Sequence, residues 1–410
     1  MAQRLIFAAA FQGPEGQRKF AGGGASAASE NHRNSTSNSI RPEGGGGNLA
    51  HPFFGQDPVV PASLHHRQIS VRPPGGVLRK PFLRSWMVLM FWRVRIAAAL
   101  VLVIFRVALA ATEIEGVPGQ DSFPFEYRGA TDFSGLTWAG GTDYFTVSDK
   151  VRAIFPMTIA LDPASGKIVS ASIGAAMPVK TKLADFEGIA FVPDTRRLYV
   201  STETGNGIFG FDLKKRSVIT VAVPPIFSQA RNNKSLESLT YDSTVKNFWT
   251  ANEEALACDG PVSGSGKGTT VRLQRFDSRF RAARQFAYVT EASSFRAFGG
   301  GTGVSDLALL PNGELLVLER VVGTFGLSAK IFRAELRGAS DISKIPALEG
   351  ADCKPAGKTL LFSRATLTNN FEGIALGPKL ADGWRSLILI ADSGGGTTHF
   401  LMPLRIRWSE

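Results

Sequence analysis

A six-residue motif occurs five times along this chain, and this repetition constrains the fold more than any other feature. Each copy begins with an apolar residue and is followed by a turn and a second apolar run that ends in an acid, for which Glu319 stands in the fourth unit. A β-rich unit repeated along a chain is the sequence signature of a repeat architecture. The five copies are FSGLTW (133–138), FEGIAF (186–191), LESLTY (236–241), VSDLAL (304–309) and FEGIAL (371–376).

Each copy is followed by enough strand-like sequence for a four-stranded unit. A third apolar run follows the second in every unit, as in GIFGFDL (207–213), and most units have a fourth, as in IVSASIG (168–174). Pro, Asn, Asp and Gly occupy the turns between these runs, which is typical of β-hairpins. The copies begin 53, 50, 68 and 67 residues apart, a spacing that fits the blades of a β-propeller.

The sequence therefore predicts an all-β fold, a β-propeller of five four-stranded blades, with a divergent sixth blade left open. The last unit ends after its third strand, so we expect the N-terminal stretch FEYRGAT (125–131) to supply the missing strand and close the ring. A β-sandwich is the structural alternative, but it does not explain why an acid recurs at the same place in each unit.

The N-terminal part differs from the repeats. Residues 1–86 are rich in Gly, Ser, Asn, Pro and Arg and have no apolar period. We interpret them as a low-complexity, disordered segment or as the result of a start codon assigned too far upstream.

Residues 87–110 have the layout of a signal peptide, with a basic beginning, an apolar run and a small-residue cleavage signal at its end. We therefore expect a secreted or periplasmic protein whose mature domain spans 111–410, with no stable membrane span after cleavage. Arg106 interrupts the apolar run, and a retained membrane anchor is the alternative.

The net charge of +11 and the pI of about 9.8 are typical of proteins that bind nucleic acids. However, residues 1–111 carry 13 Lys/Arg against 4 Asp/Glu, whereas residues 112–410 carry 33 against 31. The repeats are therefore nearly neutral, and we predict no nucleic-acid partner.

The repeats place acids at one end of the ring. The first two strands of a blade are antiparallel neighbours, so the start of the first and the end of the second lie at the same mouth of the ring. Nine carboxylates are predicted at this acidic mouth: Glu187, Glu237, Asp306 and Glu372 from first strands, and Asp149, Glu203, Glu253, Glu319 and Asp392 from second strands.

Such a ring requires neutralisation, because two carboxylates about 4 Å apart repel by about 4 kcal/mol at an effective dielectric constant near 20. Several oxygen ligands at a flexible rim favour Ca²⁺ over Mg²⁺ as the bound divalent cation. The alternative is a structural ring of ion pairs, for which Arg231, Lys234 and Arg320 are the candidate cations. The predicted metal ligands are Glu187, Glu203, Glu237, Glu253, Asp306, Glu319 and Glu372.

Histidine-dependent chemistry is disfavoured. Residues 111–410 contain a single histidine, His399, on the third strand of the last unit, where we expect a surface or edge position. A catalytic triad needs a well-placed imidazole, and the GxSxG elbow is absent. The two cysteines, Cys258 and Cys353, allow one disulfide in an exported chain, although the sequence does not show that they meet.

Metal-assisted hydrolysis is the remaining enzymatic route, with a carboxylate accepting a proton from water. We predict Glu187, Glu237, Glu372 and Glu253 as catalytic residues. Arg231, Lys234 and Arg320 are predicted to bind a small-molecule ester or phosphoester. A propeller that binds a ligand or partner without catalysis is the alternative, since fold does not determine function.

Longer stretches of the sequence resemble a known family. FEGIA, TANEEALACDGP, SDLALLPNGELLVLER and NNFEGIALGP occur in this order, and the chain over about residues 128–405 resembles the "esterase-like activity of phytase" family of exported, phytase-like proteins. The resemblance implies a propeller-type β fold and hydrolysis of esters or phosphate esters. The site residues that it implies are Glu187, Glu237, Glu253, Asp259, Asp306, Glu319, Arg320 and Glu372.

Overall fold

The chain is built almost entirely from β-strands in the parts that the computed structural model describes, which are residues 111–293, 301–323, 326–366 and 369–409. In these ranges the helices are two short 3₁₀ turns, and neither has the length and apolarity that a membrane crossing requires. The 3₁₀ turns span Pro193–Thr195 and Pro225–Gln229. The interpretation of residues 1–86 and the predicted signal peptide at 87–110 lie outside the described residues.

The described strands form five antiparallel sheets, which are the blades of a β-propeller. Two N-terminal strands, β1 (Glu113–Gly116) and β2 (Phe123–Glu126), precede blade 1. Blade 1 contains β3 (Phe133–Gly140), β4 (Asp143–Ser148), β5 (Ala153–Leu161), β6 (Ile168–Ile173) and β7 (Met177–Pro178). Blade 2 contains β8 (Ala184–Val192), β9 (Arg197–Thr204), β10 (Gly207–Asp212) and β11 (Ser217–Val221).

The remaining blades follow the same plan. Blade 3 contains β12 (Thr240–Asp242), β13 (Asn247–Ala251), β14 (Thr270–Phe276) and β15 (Ala282–Val289). Blade 4 contains β16 (Gly303–Leu309), β17 (Leu315–Gly323), β18 (Gly326–Glu335) and β19 (Gly357–Thr366). Blade 5 contains β20 (Asn370–Lys379), β21 (Arg385–Asp392) and β22 (Thr398–Arg407). The five-bladed all-β prediction is confirmed, and the described residues contain no sixth blade.

The N-terminus completes blade 5, as predicted, but with two strands that begin earlier than expected. β1 pairs with the end of β22 and β2 pairs with its beginning. Of the predicted closing stretch 125–131, only Phe125 and Glu126 lie in a strand. The backbone nitrogen of Tyr127 still donates a hydrogen bond to the carbonyl oxygen of Thr397, and the residues after it carry the chain from blade 5 to the inner strand of blade 1.

Ring closure also explains why the prediction for His399 is wrong. β2 covers β22, so the third strand of blade 5 is not an edge, and His399 is 0% exposed. Its ring stacks on Phe125 with ring centroids 5.3 Å apart, and its Nε2 lies 3.2 Å from the carbonyl oxygen of Tyr127. His399 is therefore a core residue.

Apolar side chains fill the space between neighbouring blades. Between blades 1 and 2, Val147 and Ile154 pack in one buried cluster with Phe186, Leu198 and Phe209. Burial of side chains of this size contributes about 1.5–3 kcal/mol each. The first residue of the motif, represented here by Phe186, therefore belongs to the core that joins two blades.

The glycine of the motif is required by the close contact of adjacent inner strands. A Cβ atom on Gly188 would lie 2.0 Å from the backbone nitrogen of Leu239, in the next blade. A Cβ atom on Gly373 would lie 2.3 Å from the carbonyl oxygen of Ser134. Both distances are far below van der Waals contact. The motif therefore combines a core residue, a polar residue and a glycine for reasons of packing as well as chemistry.

Bulges turn the polar residue of the motif out of the regular ladder. The pairing register shifts between Phe186 and Ile189 in β8, and between Phe371 and Gly373 in β20. β3 and β16 have corresponding shifts. A bulge bends the strand and redirects side chains. The second motif residues of several blades can therefore meet near the axis.

Candidate functional site

Three glutamates from two blades meet at the acidic mouth. Glu187 lies on β8, Glu203 on β9 and Glu237 just before β12. One carboxylate oxygen from each lies within 4.8 Å of the others, and each residue is only 6–7% exposed. We call these residues the three-glutamate cluster. Among the described residues, no Lys or Arg forms an ion pair with any of the three.

Few protein donors satisfy the oxygens of this cluster. Glu203 Oε1 accepts a hydrogen bond of 3.0 Å from the backbone nitrogen of Ser235. Glu237 Oε2 is buried and has no hydrogen-bond partner in the described part of the chain. A buried carboxylate oxygen without a hydrogen-bond partner destabilises the folded state unless it binds a proton or a ligand.

The pKa values of the cluster are raised. Burial is the largest cause for each residue, and it raises the pKa of Glu203 to about 7. Burial, together with the charges of Glu372 and Glu203, raises the pKa of Glu187 well above its ordinary value. Burial, together with the charges of Glu253 and Glu187, does the same for the pKa of Glu237. Such a site retains protons near neutral pH or takes up a cation.

The other half of the acidic mouth is neutralised by the protein itself. Arg320 forms ion pairs with Glu253 and, at 3.0 Å, with Glu372. Lys234 Nζ lies 2.6 Å from Glu253 Oε2, and Asn370 donates a 2.6 Å hydrogen bond to Glu372. Burial nevertheless raises the pKa of Glu372 to about 8, although Arg320 opposes the shift. The acidic mouth therefore has one part whose carboxylates are paired with Arg320 and Lys234, and another, the three-glutamate cluster, whose carboxylates form no ion pair with a described residue.

The match to a protein family extends over most of the propeller. Residues 129–394, more than half of the chain, match the family model described as Phytase-like, "Esterase-like activity of phytase". The chain belongs to this family. The resemblance of the repeated motifs to it is thereby confirmed. No curated protein matches the chain significantly.

Several solved structures are distant matches to this chain. Hydrazine synthase from Kuenenia stuttgartiensis is 14% identical to this chain, with a TM-score of 0.33. The match covers 69% of this chain and 64% of the hydrazine synthase chain, so this chain spans less than two thirds of that protein. A chain of the nidogen/laminin complex is 12% identical with a TM-score of 0.35, and the match covers 68% of this chain and 89% of the other. A luciferin-regenerating enzyme is 14% identical with a TM-score of 0.30, and the match covers 72% of this chain and 95% of the other. These similarities are too low to support a functional argument.

Glu319 does not join the three-glutamate cluster. Successive side chains of a strand point to opposite faces, so Glu319 and Arg320 on β17 diverge. Glu319 accepts hydrogen bonds from the Tyr288 hydroxyl at 2.6 Å, from Lys358 Nζ at 2.8 Å and from the backbone nitrogen of Glu291 at 2.7 Å. Its carboxylate therefore joins blades 3 and 4 outside the acidic mouth.

Asp306 also has protein partners for both oxygens. It occupies the third motif position, where three other blades have glycine, whereas Ser305 occupies the position of the acid. Its carboxylate accepts backbone hydrogen bonds from Leu307 at 2.8 Å and from Ile374 at 2.9 Å. Burial raises the pKa of Asp306 well above its ordinary value. This arrangement ties the inner strands of blades 4 and 5 together.

Two further predicted residues hold a loop that follows β13. Arg231 donates hydrogen bonds to the carbonyl oxygens of Ala255 at 3.0 Å and Gly260 at 2.9 Å. Asp259, which the family resemblance had implied, forms a buried two-point pair with Arg272, at 2.6 and 2.7 Å. The structure thus places Arg231 and Asp259 in structural contacts. The two cysteines are free thiols.

The residue directly before the motif was not predicted as part of the acidic mouth, although Asp132 lies there in the first copy. Asp132 accepts a 2.5 Å hydrogen bond from the backbone nitrogen of Gly395, and Asp392 lies against it. Burial, with the contact to Asp132, raises the pKa of Asp392 to about 6. Asp149 lies near this pair and forms an ion pair with Lys150. The sequence feature that could have indicated this position is a polar residue directly before four of the five copies, at Asp132, Asp185, Ser235 and Asn370.

Proposed function

We propose that this protein is an exported, metal-assisted hydrolase of phosphoric or carboxylic esters, with the three-glutamate cluster as its cation site. The observation that carries the proposal is the presence of three buried carboxylates within 4.8 Å of one another, without an ion-pair partner in the described residues. Membership of a family named for esterase-like activity of phytase supports the reaction class.

The cluster fits a hard divalent cation. Glu187, Glu203 and Glu237 offer only carboxylate oxygens, the ligands that Ca²⁺ and Mg²⁺ prefer. The buried Glu237 Oε2, which has no hydrogen-bond partner among the described residues, is an oxygen left for such a ligand. Ca²⁺ is favoured because it accepts irregular sets of six to eight oxygens, which water and substrate can complete.

A bound cation would supply Lewis acidity, polarising an ester oxygen or a water molecule. Glu372 is the candidate base for this water, because its charge acts on Glu187 and its pKa of about 8 suits proton transfer near neutral pH. Glu253 holds both Lys234 and Arg320. Its contribution is to position these two cations beside the cluster.

Lys234 and Arg320 are the candidate residues for binding an anionic substrate. Their side chains are 27% and 18% exposed, so they reach solvent as well as the ring. The charge of Glu253 opposes the effect of burial and raises the pKa of Lys234, so this amine stays protonated at neutral pH. Both cations can therefore donate charge-assisted hydrogen bonds to a phosphate or carboxylate group.

The test is hydrolysis of phytate, p-nitrophenyl phosphate and p-nitrophenyl acetate by the purified protein, with Ca²⁺ and with EDTA. We expect turnover that requires Ca²⁺ and is lost in Glu187→Gln. Glu113→Gln is the matched control, because Glu113 lies on β1 and pairs with Arg407 at the surface. Turnover that persists in EDTA and in Glu187→Gln would contradict the proposal.

A non-catalytic binding propeller is the second candidate, and the burial of the cluster favours it. At 6–7% exposure, a cation held by these glutamates can stabilise the ring without reaching a substrate. In that case Ca²⁺ raises the melting temperature, but none of the three substrates is hydrolysed. The two outcomes separate catalysis from a structural cation site.

A further inference from the structure

A cavity opens at the end of the propeller axis opposite the acidic mouth. Its volume is about 420 Å³, which lies in the range of small-molecule sites. The acids occupy the second position of the motif, whereas the cavity is lined by residues from positions four to six of every copy, except Ala190, and by residues of the turns that follow four of the copies. We call this the opposite-mouth cavity, and it shares no residue with the three-glutamate cluster.

The cavity has an aliphatic floor and a partly aromatic rim. The floor consists of the buried fourth motif residues, and the aromatic sixth residues Trp138, Phe191 and Tyr241 belong to the lining. Phe191 and Tyr241 also pack on Phe145 and Phe248. The indole nitrogen of Trp138 donates a 3.0 Å hydrogen bond to the carbonyl oxygen of Gly141, which fixes the ring. Such surfaces bind flat apolar groups. The floor residues are Leu136, Ile189, Leu239, Leu307 and Ile374.

Arg385 provides a cation at this lining. Its guanidinium carbon lies 5.6 Å from the centre of the Trp138 ring. Among the described residues, its guanidinium has no ion-pair or hydrogen-bond partner. Arg385 is partly buried, and this burial lowers its pKa, although the charge of Asp242 opposes the shift. A partly buried cation that no carboxylate contacts directly favours the binding of an anion.

Asp242 is the other charged residue in the lining. Its Oδ1 accepts hydrogen bonds from the backbone nitrogens of Thr244 at 2.7 Å and Val245 at 3.2 Å, within its own turn. These bonds offset part of the carboxylate charge, so Arg385 can still attract an anion. One cation facing one partly neutralised acid suits a ligand with a single negative charge better than a doubly charged phosphate ester.

We propose that the opposite-mouth cavity binds a small aromatic monocarboxylate. Its carboxylate pairs with Arg385, and its ring packs between the aromatic rim and the aliphatic floor. This site is distinct from the proposed hydrolytic site and does not depend on it.

The experiment titrates the full-length protein in EDTA with 2-naphthoate and with the neutral, equally sized 2-naphthamide, and follows binding by calorimetry. We expect 2-naphthoate to bind at least about tenfold more tightly, because a hydrogen bond to a charged group is worth this much or more. This comparison uses the wild-type protein alone, so it does not depend on the folding of a variant. Equal affinities, or no binding of 2-naphthoate at millimolar concentration, would overturn the proposal.

Variants then locate the ligand. Arg385→Gln should lower the affinity for 2-naphthoate to that of the amide. Arg364→Gln, at an arginine on β19 that pairs with Asp121, should leave it unchanged. Glu187→Gln should also retain 2-naphthoate binding, which separates this site from the cation site. Binding that survives Arg385→Gln but is lost in Glu187→Gln would place the ligand at the acidic mouth and contradict the proposal.

Discussion

Arg320 forms an ion pair with Glu253 across the boundary between blades 3 and 4. Arg320 occupies the place at which the second strands of the other blades end in Asp149, Glu203, Glu253 or Asp392. One blade thus contributes a cation to a ring of acids, and this cation also pairs with Glu372. Three of the carboxylates with which it does not pair form the three-glutamate cluster.

Replacing Arg320 should destabilise the protein. Arg320→Gln leaves Glu253 and Glu372 without their shared guanidinium, and breaking a buried ion pair costs about 3 kcal/mol in the free energy of unfolding. Urea unfolding in EDTA measures this loss. The exposed pair of Arg364 and Asp121 is the control, and Arg364→Gln should cost about 1 kcal/mol or less. Equal losses in the two variants would show that the ion pairs of Arg320 stabilise the protein no more than an exposed ion pair does.

Replacing Glu237 should remove the response to Ca²⁺. Glu237→Gln deletes one ligand and also one of the repelling charges in the cluster. In EDTA at pH 8, we expect this variant to melt at or above the temperature of the wild-type protein. Added Ca²⁺ should raise the melting temperature of the wild-type protein and of Glu113→Gln, but not that of Glu237→Gln. A Ca²⁺ response of wild-type size in Glu237→Gln would exclude Glu237 as a ligand.

The stability of the metal-free protein should fall as the pH rises from about 5 to 8. The pKa values of Glu203 and Glu372 are raised to about 7 and about 8, above an unfolded value of about 4.3. The folded state therefore binds more protons than the unfolded state in this range, so stability is greatest below the unfolded pKa and is lost through the folded pKa values. Melting temperatures in EDTA across this range measure the loss. A constant or rising melting temperature would contradict these shifts.

The motif glycine should not tolerate even a methyl group. Gly188→Ala places a Cβ 2.0 Å from the backbone nitrogen of Leu239, so two inner strands must separate. We expect a loss of at least about 3 kcal/mol or failure to fold. Gly264→Ala is the control, because nothing lies within 4 Å of its Cβ. Soluble expression and urea unfolding compare the two variants, and similar stabilities would refute the packing argument.

The blades could be predicted from the sequence because each unit repeats the same local pattern. The pairing of FEGIAF with LYVSTE and of FEGIAL with LILIAD follows from alternating apolar residues and short turns. The closing strand was harder to place, because β1 and β2 pair with β22 from the opposite end of the chain. No local pattern specifies such a long-range register.

The candidate site could be predicted only in part. Glu187, Glu203 and Glu237 do meet, but the sequence placed Glu319 at the mouth, where Arg320 lies instead. A shift of one residue along a strand reverses the face of a side chain, and bulges add such shifts in the inner strands. Asp306 stands at the glycine position rather than the acid position, so its carboxylate bonds to the backbone of the next blade.

The most direct test of the cation site is a calorimetric titration of the EDTA-treated, dialysed protein with Ca²⁺. We expect one Ca²⁺ to bind per chain. Binding should be lost in Glu187→Gln and Glu237→Gln and retained in Glu319→Gln. No binding by the wild-type protein, or equal binding by the Glu187 and Glu237 variants, would show that the three-glutamate cluster is not a cation site.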